Sequence, residues 1–190
     1  MKFTGTEVKL KSIPVVIFFV FLTIVAGCLQ PSTSEPGGNV NIESTQAGPW
    51  IDMELVDVST GEQFKISDFK GQPVLLESFA VWCPTCTEQQ KQVKVLEAKT
   101  GGSIIHISLD TDPNEDASRV KEHKEANGFD WIYAVSPIDL TRSLIDQYGN
   151  KIVNAPLVPM ILICEDQSTR FLRSGLKTAD ELSLEVSKGC

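Results

Sequence analysis

The sequence predicts an α/β fold: strands separated by helices around a sheet with parallel pairing, finishing in a hairpin. Three observations carry this. Val74 to Phe79 is a mostly apolar run that holds Glu77, as expected of a strand buried on both faces. A helical pattern follows it at once, and the strand–helix alternation then repeats twice before residue 150. The composition, 42% hydrophobic and 22% charged, supports a core and excludes disordered, collagen-like and coiled-coil chains.

The elements follow in order. Residues 51–58 alternate in polarity and stop at Ser59-Thr60-Gly61-Glu62, a hairpin turn, and Gln63 to Ile66 returns. Ser67 to Gly71 is a short turn before the Val74–Phe79 strand. Pro84 to about Lys99 reads as helix, with Val93 and Leu96 inward and Glu88, Lys91 and Lys94 outward; Gly101-Gly102 ends it. Ser103 to Leu109 is the next strand, 110–116 a loop rich in helix-capping residues, and Ala117 to Asn127 a helix stopped by Gly128. Trp131 to Val135 reads as strand and Asp139 to Tyr148 as helix, with Asp139 as N-cap. Pro159 to Cys164 and Arg170 to Ser174 form a hairpin. Thr178 to Glu181 matches a capping box that opens the last helix.

The N-terminus is different in kind. Lys9 and Lys11 precede an apolar stretch of 14 residues, Ile13 to Ala26, too short for a comfortable membrane span. Val25-Ala26-Gly27-Cys28 resembles a prokaryotic lipoprotein signal, with Val25 where Leu is usual. The resemblance implies that residues 1–27 are a signal peptide and Cys28 the lipidated mature N-terminus. An uncleaved membrane anchor ending near Leu29 is the alternative. Residues 28–48 are rich in Ser, Thr, Pro, Gly and Asn and read as a flexible tether, leaving 49–190 as the folded domain. Anchor, tether and domain together place the protein at the extracytoplasmic face of a membrane. Residues 1–27 hold Lys2, Lys9, Lys11 and Glu7, so their removal takes the net charge from −8 to −10. Without an offsetting basic cluster, that balance excludes nucleic acid as a partner.

The chemistry-bearing motif is Trp82-Cys83-Pro84-Thr85-Cys86, where the buried strand hands over to a helix. Cys83 falls at the helix N-terminus, whose unpaired N–H groups and dipole favour an anion such as a thiolate. Pro84 occupies the first turn, where its missing N–H costs nothing. Cys86 follows about one turn on, within reach of a mixed disulfide on Cys83. Cys83 is therefore the expected nucleophile and Cys86 the resolving thiol. Zinc would need two further ligands, and His106 and His123 lie in separate elements; covalent haem would need His at position 87, which is Thr87. No metal and no cofactor are expected. An inert structural disulfide remains as an alternative, although a bridge across one helical turn closes too small a loop to stabilise much.

Leu55 to Cys86, with Asp68-Phe69-Lys70-Gly71-Gln72-Pro73-Val74-Leu75-Leu76 leading into WCPTC, resembles the TlpA/ResA class of thioredoxin-like proteins, membrane-tethered extracytoplasmic thiol–disulfide oxidoreductases. The WCPTC form is similar to that of cytochrome c maturation thioredoxins. The resemblance extends over roughly residues 50–188 and includes Ser108 to Asp112 with the helix after it, the class's extra β–α insertion. It implies a thioredoxin fold: a central mixed β-sheet flanked by helices, with an N-terminal β-hairpin. It implies that Glu77, six residues before Cys83, is the buried acid that exchanges a proton with Cys86; burial by itself raises a carboxyl's pKa. It also implies a cis-proline beside the disulfide, for which Pro159 fits better than Pro156. Val158 would then offer free backbone to a substrate chain, with Trp82, Pro84 and Thr85 forming the rest of the substrate-binding surface. The implied partners are cysteine- or disulfide-containing proteins and a membrane thiol electron carrier, with the protein acting as a reductant.

Other residues are less telling. Cys164 reads as a buried small hydrophobe and Cys190 as a mobile last residue; a Cys164–Cys190 disulfide is the alternative. His106 reads as a packed or edge histidine. Asp110 to Asn114 opens like a calcium loop, but Glu115 stands where the sharp turn needs Gly and Lys121 where the bidentate Glu belongs, so capping is preferred. Two other functions compete. A peroxiredoxin-like peroxidase needs Thr or Ser three residues before its cysteine, where Ala80 stands. A non-catalytic binding module of the same fold would keep its partner when Cys83 is lost.

Overall fold

The computed structural model describes residues 44–190; the signal segment, Cys28 and most of the tether lie outside them. A six-stranded mixed sheet forms the centre. Its strands are β1 (Thr45–Gln46), β4 (Val74–Phe79), β5 (Ile105–Asp110), β6 (Ile132–Val135), β7 (Met160–Ile163) and β8 (Ser168–Phe171), in the order β1-β8-β7-β4-β5-β6. The pairings β4–β5 and β5–β6 are parallel; β4–β7, β7–β8 and β1–β8 are antiparallel. Strands β2 (Leu55–Val56) and β3 (Gln63–Phe64) make a separate small hairpin. The helices are α1 (Pro84–Thr100), α2 (Ala117–Asn127), α3 (Ile138–Tyr148) and α4 (Ala179–Lys188). This is the predicted thioredoxin-like α/β architecture. No helix among the described residues is long and apolar enough to cross a membrane.

Alternation along β4 sorts the core. Leu75 and Phe79 face one cluster, with Val93 and Leu96 of α1, Val120 of α2 and Leu182 of α4. Val74 and Leu76 face the other, with Leu140 and Leu144 of α3 and with Trp50 and Ile66 from the N-terminal segments. Glu77 shares the parity of Leu75 and Phe79, so it points toward the α1 side. Helix ends obey their local chemistry. Gly101 and Gly128 take left-handed conformations past α1 and α2, Asp116 caps the Arg119 N–H, and Thr178 with Glu181 forms the predicted capping box.

Several details differ from expectation. The segment read as the end of the tether contributes β1, whose Thr45 pairs with Thr169 at the sheet edge. Of the 51–58 run read as a strand, only Leu55–Val56 is one; Ile51 and Asp52 close a 3₁₀ turn over 49–52, because Trp50 and Ile51 are both buried and a strand cannot turn consecutive side chains to one core. Pro137, not Asp139, sits at the N-cap of α3; Asp139 turns to Arg142, 3.1 Å away. Cys164 and Cys190 are joined in a disulfide that ties the C-terminus to the end of β7, which overturns the reading of Cys190 as a mobile end. Bridging 26 positions, it should stabilise by about 3.5 kcal/mol on loop entropy. Replacing both cysteines by Ser is expected to lower the thermal midpoint by about 10 °C, read by circular dichroism.

His106 on β5 is buried with neither ring nitrogen hydrogen-bonded, and burial lowers its pKa from 6.5 to about 4. Its folded-state value lies below the unfolded one. Stability is therefore full above pH 6.5 and falls as pH drops through 4, by about 3 kcal/mol. His106→Leu should flatten that acid limb in urea titrations between pH 4 and 7.

Candidate active site

Cys83 sits at the N-cap of α1 with extended backbone, and its Sγ accepts a hydrogen bond from the Cys86 N–H at 3.3 Å. That contact is the N-cap interaction normally made by a side-chain oxygen, here made by sulfur. Both thiols are free, and both residues are covered: Cys83 is 1% and Cys86 0% exposed. The Cys86 thiol donates to the Ala155 carbonyl at 3.2 Å. Burial pushes the Cys86 thiol up, and the sulfur of Cys83 and the carboxyl of Glu77 push it further. It stays protonated until a neighbouring base takes the proton. Trp82, in contrast, is 56% exposed, and Pro84 and Thr85 are exposed beside it.

Glu77 lies mid-sheet, opposite Ser108 of β5 and Met160 of β7. It is 2% exposed; Ser108 Oγ donates to its Oε2 at 3.3 Å, while Oε1 has no partner. Burial raises its pKa from 4.5 to about 8, against the lowering pull of Gln90, Ser108 and Lys177. A carboxyl poised there can take a proton from a thiol and return it at neutral pH.

The loop after β5 grips the strand–helix junction. Glu115 Oε2 accepts the Val81 N–H at 2.6 Å and Asp112 Oδ2 accepts the Trp82 indole N–H at 2.6 Å. Asp110 is fully buried behind them and raised to about 7 by burial and by the carboxyl of Glu115. Of this loop, only Asp116 does the capping expected of the whole segment. A cavity of about 500 Å³ opens alongside, lined by Trp82, Asp112, Glu115, Ile138, Val153 and Ala155, among others. Among the described residues, no cluster of three or more His, Cys, Asp or Glu is placed to hold a metal ion.

Two expectations need correction. No peptide bond among the described residues is cis, so Val158–Pro159 and Ala155–Pro156 are both trans. The chain turns instead at Val158, whose φ of 49° and ψ of 59° are left-handed, a costly choice for a β-branched residue. Val158 does not offer free backbone either. Its N–H donates to Ala155 O at 2.8 Å, its carbonyl accepts from Lys177 Nζ at 3.3 Å, and its side chain is buried. Pro159 is buried next to it, and its carbonyl accepts the Ser78 N–H at 3.1 Å. Sequence reasoning also missed Ala155, Asp112, Glu115 and Lys177; only the acidic run at 110–116 gave a signal, and it was read as capping.

The fold and the site together define a thioredoxin-like protein with a Cys-Pro-Thr-Cys pair at a helix N-terminus. The Redoxin family model matches residues 43–170, and the chain belongs to that family. It is 32% identical over 102 residues to the thiol:disulfide interchange protein DsbE of Vibrio cholerae, an alignment covering 53% of this chain and 54% of that protein. It is 31% identical over 119 residues to the DsbE of Escherichia coli K12, covering 60% and 62%. The chain thus spans less than two thirds of the curated relatives it matches. Among solved structures, it resembles a secreted Mycobacterium tuberculosis disulfide oxidoreductase homologous to E. coli DsbE, with a TM-score of 0.59 and 17% identity over 75% of this chain and 99% of the other. The thioredoxin domain of a Bacteroides vulgatus thiol-disulfide oxidoreductase matches with a TM-score of 0.57 and 20% identity, over 72% and 91%.

Proposed function

We propose that the protein is a thiol–disulfide oxidoreductase that reduces disulfides in extracytoplasmic proteins through Cys83 and Cys86. The observation that carries this reading is the Cys86 N–H on Cys83 Sγ at the start of α1, with a buried, proton-accepting Glu77 on the same side of the sheet. The thiolate of Cys83 attacks one sulfur of a substrate disulfide. The substrate S–S bond breaks, a mixed disulfide forms on Cys83, and the other substrate sulfur leaves as a thiolate and is protonated. Cys86 then gives its proton to Glu77 and attacks Cys83 Sγ, releasing the second substrate thiol and leaving a Cys83–Cys86 disulfide. The substrate gains two electrons and the pair loses two, which a membrane thiol electron carrier restores.

Cys83 is covered, so a substrate sulfur reaches it only when its cover moves; the cavity lined by Trp82 and Ala155 opens beside the motif and offers room for the substrate chain. The DsbE relatives are named as interchange proteins, which supports the reaction class. Ala80 three residues before Cys83 supplies no hydroxyl for a peroxidase site. Cys28 is the proposed lipid anchor, and the residues between it and β1 at Thr45 are the proposed reach from the membrane to the domain. The test is reduction of insulin disulfides by the full chain with dithiothreitol as electron source. Acceleration above the dithiothreitol background is expected, and peroxide consumption without insulin reduction would contradict the reading.

A further inference from the structure

Lys177 lies in the segment between β8 and α4, where a lysine is expected to point to water. It is instead 0% exposed. Gln89 of α1 clamps its backbone on both sides, accepting the Lys177 N–H at 2.8 Å and donating to the Lys177 carbonyl at 3.0 Å. Its Nζ donates to Gly175 O at 2.8 Å and to Val158 O at 3.3 Å. An ammonium is expensive to bury, and an apolar side chain of similar length would fill the space at lower cost. The placement therefore calls for a use of the charge.

The contacts lead to the catalytic carboxyl. Val158 precedes Pro159, whose carbonyl holds the Ser78 N–H, and the next residue, Met160, pairs with Glu77 across β4 and β7. The ammonium is thus fixed on the residue that leads into β7, two positions before Met160, the β7 partner of Glu77. We propose that Lys177 is a positioning residue for Cys83–Cys86 exchange: it holds the Val158 carbonyl and, from there, stabilises the Glu77 carboxylate that receives the Cys86 proton. The proposal rests on the reading that Glu77 exchanges a proton with Cys86.

The surrounding groups agree in sign. Glu77 is faced by Cys86 and Gln90 of α1, Ser108 of β5, Tyr133 of β6 and Lys177, and Lys177 is the cation among them. Burial, with a smaller push from Arg173, lowers Lys177 from 10.5 to about 8 against the upward pull of Glu77, Glu181 and Glu185. Both partners thus titrate near pH 8, where loss of either charge is felt by the other.

The experiment uses the full chain and two readouts. Carbon-13 NMR follows the Glu77 carboxyl and the Lys177 Cε through a pH titration, and single-turnover kinetics follow resolution of the mixed disulfide against pH. Lys177→Met should raise both the Glu77 midpoint and the kinetic midpoint by about one pH unit, slowing resolution about tenfold at pH 7. Lys177→Arg should restore most of the shift. In a Glu77→Gln background, adding Lys177→Met should change the rate by less than about twofold. Glu77→Gln, which removes a buried charge and does not endanger folding, must lower the Lys177 midpoint by a similar amount if Lys177→Met fails to fold. Unmoved midpoints, or a Lys177→Met effect undiminished in the Glu77→Gln background, would overturn the proposal. If Glu77→Gln itself leaves resolution unchanged while the NMR midpoints still respond, the proton-exchange role of Glu77 falls, and the role of Lys177 in exchange falls with it.

Discussion

Cys86→Ser is expected to turn the protein into a trap. Cys83 can still attack a substrate disulfide, but no thiol lies one turn along α1 to release the mixed disulfide. The covalent complex should accumulate and be visible as a band of higher mass on a non-reducing gel. Cys83→Ser should instead abolish exchange, with turnover falling at least about 10³-fold, because the remaining thiol of Cys86 is held on the Ala155 carbonyl and kept protonated by desolvation and the Glu77 carboxyl. The asymmetry is the informative part. Two interchangeable cysteines would give equal losses and no trapped species, whereas an attacker and a resolver give one trap and one null.

Glu77→Gln should make the protein more stable and less active. The folded-state pKa of Glu77 is raised from 4.5 to about 8, so its contribution is fully favourable below pH 4.5 and is lost as pH rises through 8. Over that window the wild type forfeits about 3–5 kcal/mol that the Gln variant keeps. Between pH 5 and pH 9 the wild type should therefore lose more stability in urea titrations than the variant, by about 4 kcal/mol, with the contributions of His106 and Asp110 common to both. Removing the base should slow resolution by about 10²-fold and erase the rise in rate between pH 7 and 9. Stability gained where activity is lost is the signature of a strained functional group, and a Glu77 that merely finds a structural partner would lose stability on replacement.

The legible parts of the fold were those whose signal is local. The bounds of β4 and of α2 follow from an apolar run and from capping residues, and the boundary at Cys83 is written in Pro84 at the first turn. Glu77 stood out because a carboxylate in an apolar strand conflicts with its surroundings. What the sequence hid depends on packing between distant segments. Lys177 looks like any surface lysine between Gly175 and Thr178, and its burial arises from the clamp by Gln89, 88 positions away. Glu115 and Asp112 have the composition of a capping loop, and only the return of β5 beside β4 brings them to Val81 and Trp82. The Cys164–Cys190 bridge could not be chosen from spacing, because it depends on α4 running back to the end of β7. The turn at Val158 was hidden for a related reason: its left-handed backbone goes with hydrogen bonds to the Lys177 ammonium and the Ala155 carbonyl, and its own β-branched side chain gives no sign of it.

The central claim is that Cys83 and Cys86 form a reversible two-electron couple used to reduce other proteins. It is tested most directly by equilibrating the full chain with dithiothreitol redox buffers and reading the state of each cysteine by alkylation and mass spectrometry. The account predicts one transition confined to Cys83 and Cys86, with a potential nearer the ~−270 mV of thioredoxin than the ~−120 mV of a strong oxidant. A potential at the oxidising end would make the protein a disulfide donor. Two cysteines that never oxidise together, with Cys164–Cys190 as the pair that exchanges, would contradict the account outright.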